Sequence, residues 1–140
     1  MTKVIMHGCN GMMGRMITEL IKEDTQVEIV AGIDIYDDGH NDYPVFSAIN
    51  DCDVEADVII DFASVKAIDA LLDYSVKKQI PVVVCTTGLS EEQLVKVEEA
   101  SKKVAVLKSA NMSLGINTLM NLLQKAVAVF APAGFDVEIV

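Results

Sequence analysis

The sequence predicts a doubly wound α/β domain built on an open parallel sheet. Three observations carry this. Short runs rich in Val and Ile alternate with longer stretches of helical periodicity. Most of the short runs are continuously apolar rather than alternating, as expected of strands covered on both faces. A turn containing Gly8, Gly11 and Gly14 joins the first strand to the first helix. Strands alternating with helices imply right-handed crossovers between parallel neighbours.

Taken in order, the predicted strands are Val4–His7, Val27–Asp34, Val58–Phe62, Val82–Cys85, Val104–Lys108 and Val137–Val140. The first helix follows the glycine turn, with Met13, Met16, Ile17 and Leu20 on one face. Val65, Ile68, Leu72 and Val76 make the face of a second. Ser90-Glu91-Glu92-Gln93 has the spacing of a capping box that opens a third. Leu119, Leu122, Leu123, Ala126, Val127 and Phe130 form the cleanest apolar stripe, and Pro132 with Gly134 ends that helix. The acidic stretch from Tyr36 to Ala56 breaks the rhythm. It reads as a surface excursion with one short strand near Pro44–Ser47. Together these elements make a Rossmann-type sheet.

Composition narrows the function classes. The chain has 140 residues, enough for one domain and at most part of a second. The formal charge of -10 argues against nucleic acid and anionic membranes as partners. A bound phosphate would therefore rest on backbone amides. Cys9, Cys52 and Cys85 show neither disulfide nor metal-ligand spacing, and no secretory leader pattern opens the chain, so a reducing cytoplasm is expected. No metal site is expected, and no apolar run is expected to span a membrane.

Ligands of open parallel sheets bind at the carboxyl ends of the strands. The first such end is Gly8-Cys9-Asn10-Gly11-Met12-Met13-Gly14. Glycines there allow a tight turn and close approach of an anion to amides at a helix start, where the helix dipole favours negative charge. Asp34 ends the second strand, twenty residues after Gly14. A carboxylate at that place accepts hydrogen bonds from a ribose 2′-OH and repels a 2′-phosphate. No Lys or Arg lies between Asp34 and Lys66. NAD(H) is therefore expected in preference to NADP(H). The later strand ends offer Asp61-Phe62-Ala63-Ser64, Cys85-Thr86-Thr87-Gly88 and Ser109-Ala110-Asn111-Met112-Ser113. His7 reads as structural, His40 as solvated, and Lys108 as a surface lysine.

Val4–Gly14 with Arg15, Ile60-Asp61-Phe62, Thr86-Thr87-Gly88 and Ala110-Asn111-Met112-Ser113-Leu114-Gly115 resemble, in order, the 4-hydroxy-tetrahydrodipicolinate reductase family. These enzymes serve the diaminopimelate route to lysine. The resemblance implies that Gly8 to Met13 hold a dinucleotide pyrophosphate and that Asp34 holds the adenine-side ribose. It implies that Cys85, Thr86 and Thr87, with Ala110, Asn111, Met112 and Ser113, line the nicotinamide end. It places a nucleotide domain over residues 1–112 and the start of a substrate domain over 113–140.

Met12 stands where many members carry Arg, and Cys85 where Gly is usual. The first departure strengthens the NADH expectation. The family's substrate-binding His pair, Lys and Ser-Gly-Thr turn have no counterpart up to Val140. The chain is thus expected to be the amino-terminal part of a longer enzyme. Its catalytic residues, and its grip on the small cyclic dicarboxylate substrate, are expected downstream. Self-association through the 115–140 segment, or docking of its helix and strand on the chain's own sheet, is the expected consequence of its apolar stripe. A module that binds NAD(H) without catalysis is the alternative.

Overall fold

Thr2–His7 forms β1, the strand on which the sheet is organised. The computed structural model describes residues 1–139. Beside β1 lie β2 (Val27–Ile33), β3 (Val45–Phe46), β4 (Val58–Asp61), β5 (Val82–Val84) and β6 (Val106–Lys108). All neighbours are parallel, in the order β3-β2-β1-β4-β5-β6. The order reverses at β1. The loops leaving β1 and β4 therefore part, and a crevice opens at the carboxyl ends of the strands. The doubly wound fold expected from the sequence is the observed one.

Val4, Ile5 and Met6 are each at most 1% exposed, so both faces of β1 are covered. This is why the run is continuously apolar. Ile5 packs in one core cluster with Ile33, Ile59, Leu71, Val84 and Val97. Each such side chain contributes about 1.5–3 kcal/mol on leaving water. The pairing His7↔Asp61 at the ends of β1 and β4, and Asp61↔Val84 across to β5, brings polar residues together just above this core.

Helices α1 (Met12–Lys22), α2 (Ile68–Lys78) and α3 (Glu91–Ser101) cross between strands. In α3 the capping box forms as expected. Gln93 N donates to Ser90 Oγ at 3.3 Å, and Ser90 N donates to Gln93 Oε1 at 3.0 Å. α1 departs from the expected face. Gly14 and Thr18 are buried, whereas Met13, Met16 and Leu20 are exposed. Helix periodicity shows that a face exists, but a glycine admits the closest approach. Gly14, Ile17, Thr18 and Ile21 form the inward stripe.

The stretch after β2 also differs from a plain surface excursion. Its short strand is β3, as expected, but a 3-10 turn at Ile49–Asp51 sends Ile49 and Cys52 into the core. Tyr74 of α2 donates its hydroxyl to Cys52 O at 3.0 Å. No α-helix spans the connection from β3 to β4, so these two side chains cover apolar surface that a helix would otherwise cover.

The chain divides into two compact units, Met1–Ala110 and the residues from Asn111 on. The second unit is α4 (Leu114–Phe130) and a 3-10 turn at Ala131–Ala133, ended by Gly134 at φ 85. Phe135 folds back edge-on to Phe130 at 5.7 Å. The strand expected over Val137–Val140 is absent from residues 137–139, and Val140 lies outside the described residues. A strand needs a partner for its backbone groups, and these residues pair with none.

Leu114–Ala133 spans 20 residues with a mean hydropathy of 1.3, long and apolar enough to cross a membrane by length and composition. This corrects the expectation that no run approaches such a span. Asn117, Asn121, Gln124 and Lys125 recur along one side, however. That stripe is the pattern of an amphipathic helix.

Candidate functional site

The loop after β1 is fastened on both sides. Gly8 N and Cys9 N donate to Ile33 O at 2.8 and 3.4 Å, tying it to the end of β2. Toward β4, a Cβ on Gly8 would stand 2.8 Å from the Phe62 backbone, and φ there is +81. Only glycine fits this place. A Cβ on Gly14 would lie 2.2 Å from Gly8 O and 2.6 Å from Cys9 O. The first turn of α1 therefore sits directly against the loop.

Asn10 is the hub of the rim. Its amide N donates to Asp34 Oδ2 at 3.0 Å, and its side chain donates to Tyr36 O. Its Oδ1 accepts from Asn41 Nδ2 at 2.8 Å, and its carbonyl accepts from Arg15 Nε at 2.9 Å. Asp34 also accepts from Tyr36 N at 3.3 Å. An ionised carboxylate has about four lone-pair sites, so Asp34 can hold the loop and still accept from a ligand.

These bonds sort the loop amides. Gly8, Cys9 and Asn10 are committed as above, and Gly11 N donates to Gly8 O at 3.2 Å. α1 starts with Gly11 as an uncapped N-cap. The amides of Met12, Met13 and Gly14 thus lack intrahelical acceptors and stay open as donors. Beside them lies a cleft of about 380 Å³, lined by Gly8, Gly11, Asp34, Ile35, Ala48 and Ala63 among others. One wall, Ser47, Ala48 and Ile49, comes from the stretch after β3.

A second polar group closes the floor. His7 Nδ1 and Asp61 Oδ1 are 2.8 Å apart, and Thr86 Oγ1 donates to Asp61 Oδ2 at 2.7 Å. Ala63 N adds a bond to Asp61 Oδ1 at 3.2 Å. Asp61 is 1% exposed, and His7 and Thr86 are nearly as buried. His7 is buried in this network, and it also lines the cleft. Thr86 reaches this network with its hydroxyl, while Thr87 beside it is exposed.

Neither cysteine near the cleft is poised as a nucleophile. Burial, then the Asp61 carboxylate, pushes the Cys85 thiol up. Burial, aided by Asp34, pushes Cys9 from its usual 9.0 to about 11. The unfolded thiol ionises near 9.0 while the folded one keeps its proton to about 11, so this group costs stability as pH rises through that window. Native protein at pH 8 is expected to leave Cys9 unalkylated by iodoacetamide, as read by mass spectrometry, and urea midpoints should fall between pH 9 and 11. Rapid native alkylation of Cys9 would contradict its burial.

Arg15, the chain's single arginine, sits at the same rim. Its Nη2 lies 2.6 Å from Asp38 Oδ2. Desolvation opposes ionisation of Asp38, but the His40 amide and the charges of Arg15 and His40 outweigh it and hold the carboxyl below its usual range. Thr18 Oγ1 and Tyr43 OH are 2.9 Å apart, a second tie between α1 and the stretch after β2. Asp38 is visible in the sequence only as one of the acids near Asp34, and Asn41 and Tyr43 belong to no motif. Their only signal was the polar density of the stretch.

Of the expected site residues, the structure groups Gly8, Cys9, Asn10, Gly11, Met12, Met13, Gly14 and Asp34 around the loop. Cys85 and Thr86 are buried at the end of β5. Ala110 is exposed at the end of the first unit. Asn111, Met112 and Ser113 belong to the second. There Asn111 Oδ1 accepts from Ser113 N at 2.8 Å, and Ser113 Oγ accepts from Ile116 N at 3.4 Å to cap α4. Among the described residues no group of three His, Cys, Asp or Glu is placed to hold a metal.

A parallel sheet with this strand order, entered by a glycine turn against a helix start, defines a Rossmann-type α/β domain. Comparison with known proteins carries the assignment further. The family model described as dihydrodipicolinate reductase, N-terminus, matches residues 2–112. The chain belongs to that family. It is 49% identical over 140 residues to the 4-hydroxy-tetrahydrodipicolinate reductases of Clostridium novyi and of Caldanaerobacter subterraneus, covering 100% of this chain and 55% of each relative. The chain thus spans about half the length of the curated relatives it matches. Among solved structures, a dipicolinate-bound dihydrodipicolinate reductase from Paenisporosarcina sp. TG-14 superposes with a TM-score of 0.76 at 21% identity, over 92% of this chain and 54% of that one. A homoserine dehydrogenase of S. aureus gives 0.61 at 15%, over 76% and 31%. At these identities the two structures bear on the fold alone.

Proposed function

We propose that this chain is the cofactor-binding half of a 4-hydroxy-tetrahydrodipicolinate reductase and that it holds NADH. The observation that carries this is the loop pinned by Asp34 and Ile33, which leaves the amides of Met12, Met13 and Gly14 open at the head of α1. The residues fit the cofactor. Three uncommitted N–H donors at a helix start suit a pyrophosphate. Gly11 offers bare backbone beside the cleft, where an added Cβ would meet nothing closer than Gly8 O at 3.3 Å. Asp34 has acceptor capacity left for the ribose hydroxyls, and the apolar wall of Ile35 and Ala48 suits an adenine.

The chemistry the cofactor supplies when bound is a hydride for the cyclic dicarboxylate 4-hydroxy-tetrahydrodipicolinate, with loss of water, in the diaminopimelate route to lysine. In this reading residues 1–112 bind and orient the dinucleotide. The Asp61 network keeps the ends of β1, β4 and β5 in register beneath it. Cys85, Thr86 and Thr87, with Ala110 to Ser113, are assigned to its nicotinamide end on the family resemblance. Substrate binding and proton delivery are assigned to the portion that the relatives carry beyond the matched half. A cytoplasmic location is supported by three cysteines that form no disulfide.

NADH is proposed over NADPH because Asp34 occupies the ribose rim and Arg15 is engaged by Asp38. Fluorescence titration of the chain with each nucleotide tests this. NADH is expected to bind at least about tenfold more tightly. Tighter NADPH binding would overturn the preference, and binding of neither would overturn the cofactor assignment.

A further inference from the structure

Asn10 is followed by Gly11, and no other asparagine of the chain precedes a glycine. Asparagine cyclises most readily before glycine, because the next amide carries no side chain to hinder its turn toward Cγ. Gly11 is exposed, and a Cβ there would meet nothing nearer than Gly8 O at 3.3 Å. Its amide donates to Gly8 O at 3.2 Å, at the long end of the hydrogen-bond range. The nucleophile of a cyclisation is thus lightly held and open to approach.

The contacts of Asn10 divide into two sets. Its main chain is tied to the framework: the amide donates to Asp34, and the carbonyl accepts from Arg15 of α1. Its side chain is tied to the stretch after β2. There Nδ2 donates to Tyr36 O, and Oδ1 accepts from Asn41 Nδ2 at 2.8 Å. Both side-chain heads are held, so Cγ cannot turn toward Gly11 N while they stay in place. Residues 35–44 contain no helix or strand, and Ile35 and Tyr36 are 94% and 65% exposed. Opening of this stretch frees the Asn10 side chain while β1 and α1 stay folded.

We propose that Asn10 is a deamidation site masked by Tyr36 and Asn41, and that its conversion disables the glycine loop. Gly11 N bonds to Asn10 Cγ, the Cγ–Nδ2 bond breaks, and Nδ2 leaves as ammonia with the proton of the Gly11 amide. Water then opens the succinimide at either carbonyl, giving aspartate or isoaspartate. Either product ends the donation to Tyr36 O and adds a carboxylate next to Asp34, in a chain already at -10. Isoaspartate also lengthens the main chain by one carbon, between the amide bound to Asp34 and the head of α1. The open amides of Met12, Met13 and Gly14 are displaced as a result. A nucleotide seated on Asp34 and Ile35 holds the stretch shut and protects Asn10. That protection rests on the dinucleotide reading given above, whereas the modification itself does not.

The test is peptide mapping by mass spectrometry during incubation in mildly alkaline buffer, with isoaspartate counted by enzymatic methylation. Wild type, Asn41→Ala and Gly11→Ala are compared, and wild type is repeated with NADH. Circular dichroism confirms folding of each. Asn10 is expected to convert before any other asparagine. Asn41→Ala, lacking one anchor, should speed conversion about fivefold, and Gly11→Ala should slow it at least about tenfold. NADH at about ten times its dissociation constant should slow wild type about tenfold, because about one copy in ten stays unliganded. The converted fraction, separated by anion exchange, should bind NADH at least about tenfold more weakly. Conversion at Asn10 no faster than at the other asparagines, or unchanged in Asn41→Ala, refutes the masked site. Equal NADH binding by the converted fraction refutes the effect on the loop. If wild type binds no NADH, the dinucleotide reading falls, while the rates at Asn10 still decide the site.

Discussion

Replacing Asp61 with alanine is expected to destabilise the first unit by about 3–5 kcal/mol, among the largest effects any single substitution here should produce. The carboxylate is 1% exposed and is bonded to His7, Thr86 and the Ala63 amide. Alanine leaves a buried ring nitrogen, a buried hydroxyl and a half-buried amide without that acceptor. Thr86 retains one alternative, since its hydroxyl lies 3.2 Å from Ala63 O. His7 has no such alternative among its described bonds. Asparagine keeps one acceptor oxygen and the same volume, so Asp61→Asn should cost about half as much. Urea midpoints at constant m-value check both. An alanine variant within about 1 kcal/mol of wild type would show that the network contributes little.

Gly14→Ala is the second. Its methyl would stand 2.2 Å from Gly8 O and 2.6 Å from Cys9 O. Both atoms belong to a loop fastened to Ile33, so neither can yield cheaply. Either α1 lifts off the loop or the loop leaves β2. The expected destabilisation is about 3 kcal/mol. The amides of Met12, Met13 and Gly14 would shift by about an ångström, enough to weaken NADH binding about a hundredfold by loss of alignment. Gly11→Ala is the comparison. Its methyl meets only Gly8 O, at 3.3 Å, and should cost less than about 1 kcal/mol. Equal losses in the two variants would mean that the close packing at Gly14 is not what sets the site.

Much of the fold was legible because burial on both faces leaves a direct mark. Val4, Ile5 and Met6 of β1 are buried on both faces, whereas burial alternates along the apolar runs Val58–Asp61 and Val82–Val84. The glycine loop and Asp34 were legible because the turn and the strand end stand at a characteristic separation. Other features depend on contacts the linear order does not display. Asp38 meets Arg15 across 23 residues, and Tyr43 meets Thr18 across 25. The inward face of α1 was misread because Met13, Met16 and Leu20 have the stronger apolar period, while Gly14 and Thr18 are buried by closeness rather than by hydrophobicity. Ile49 and Cys52 were hidden among acidic neighbours. Over residues 137–139 an apolar run suggested a strand, but pairing, not composition, makes a strand.

The central claim is that a nicotinamide dinucleotide seats its pyrophosphate on the open amides at the head of α1. A titration of isotope-labelled chain with NADH, followed by amide chemical shifts, tests it most directly. The account predicts saturable shifts concentrated at Met12, Met13 and Gly14, with Asp34 and Ile35 moving in step. Shifts confined to the groove between α2 and α3, or no saturable shift at those amides, would contradict it.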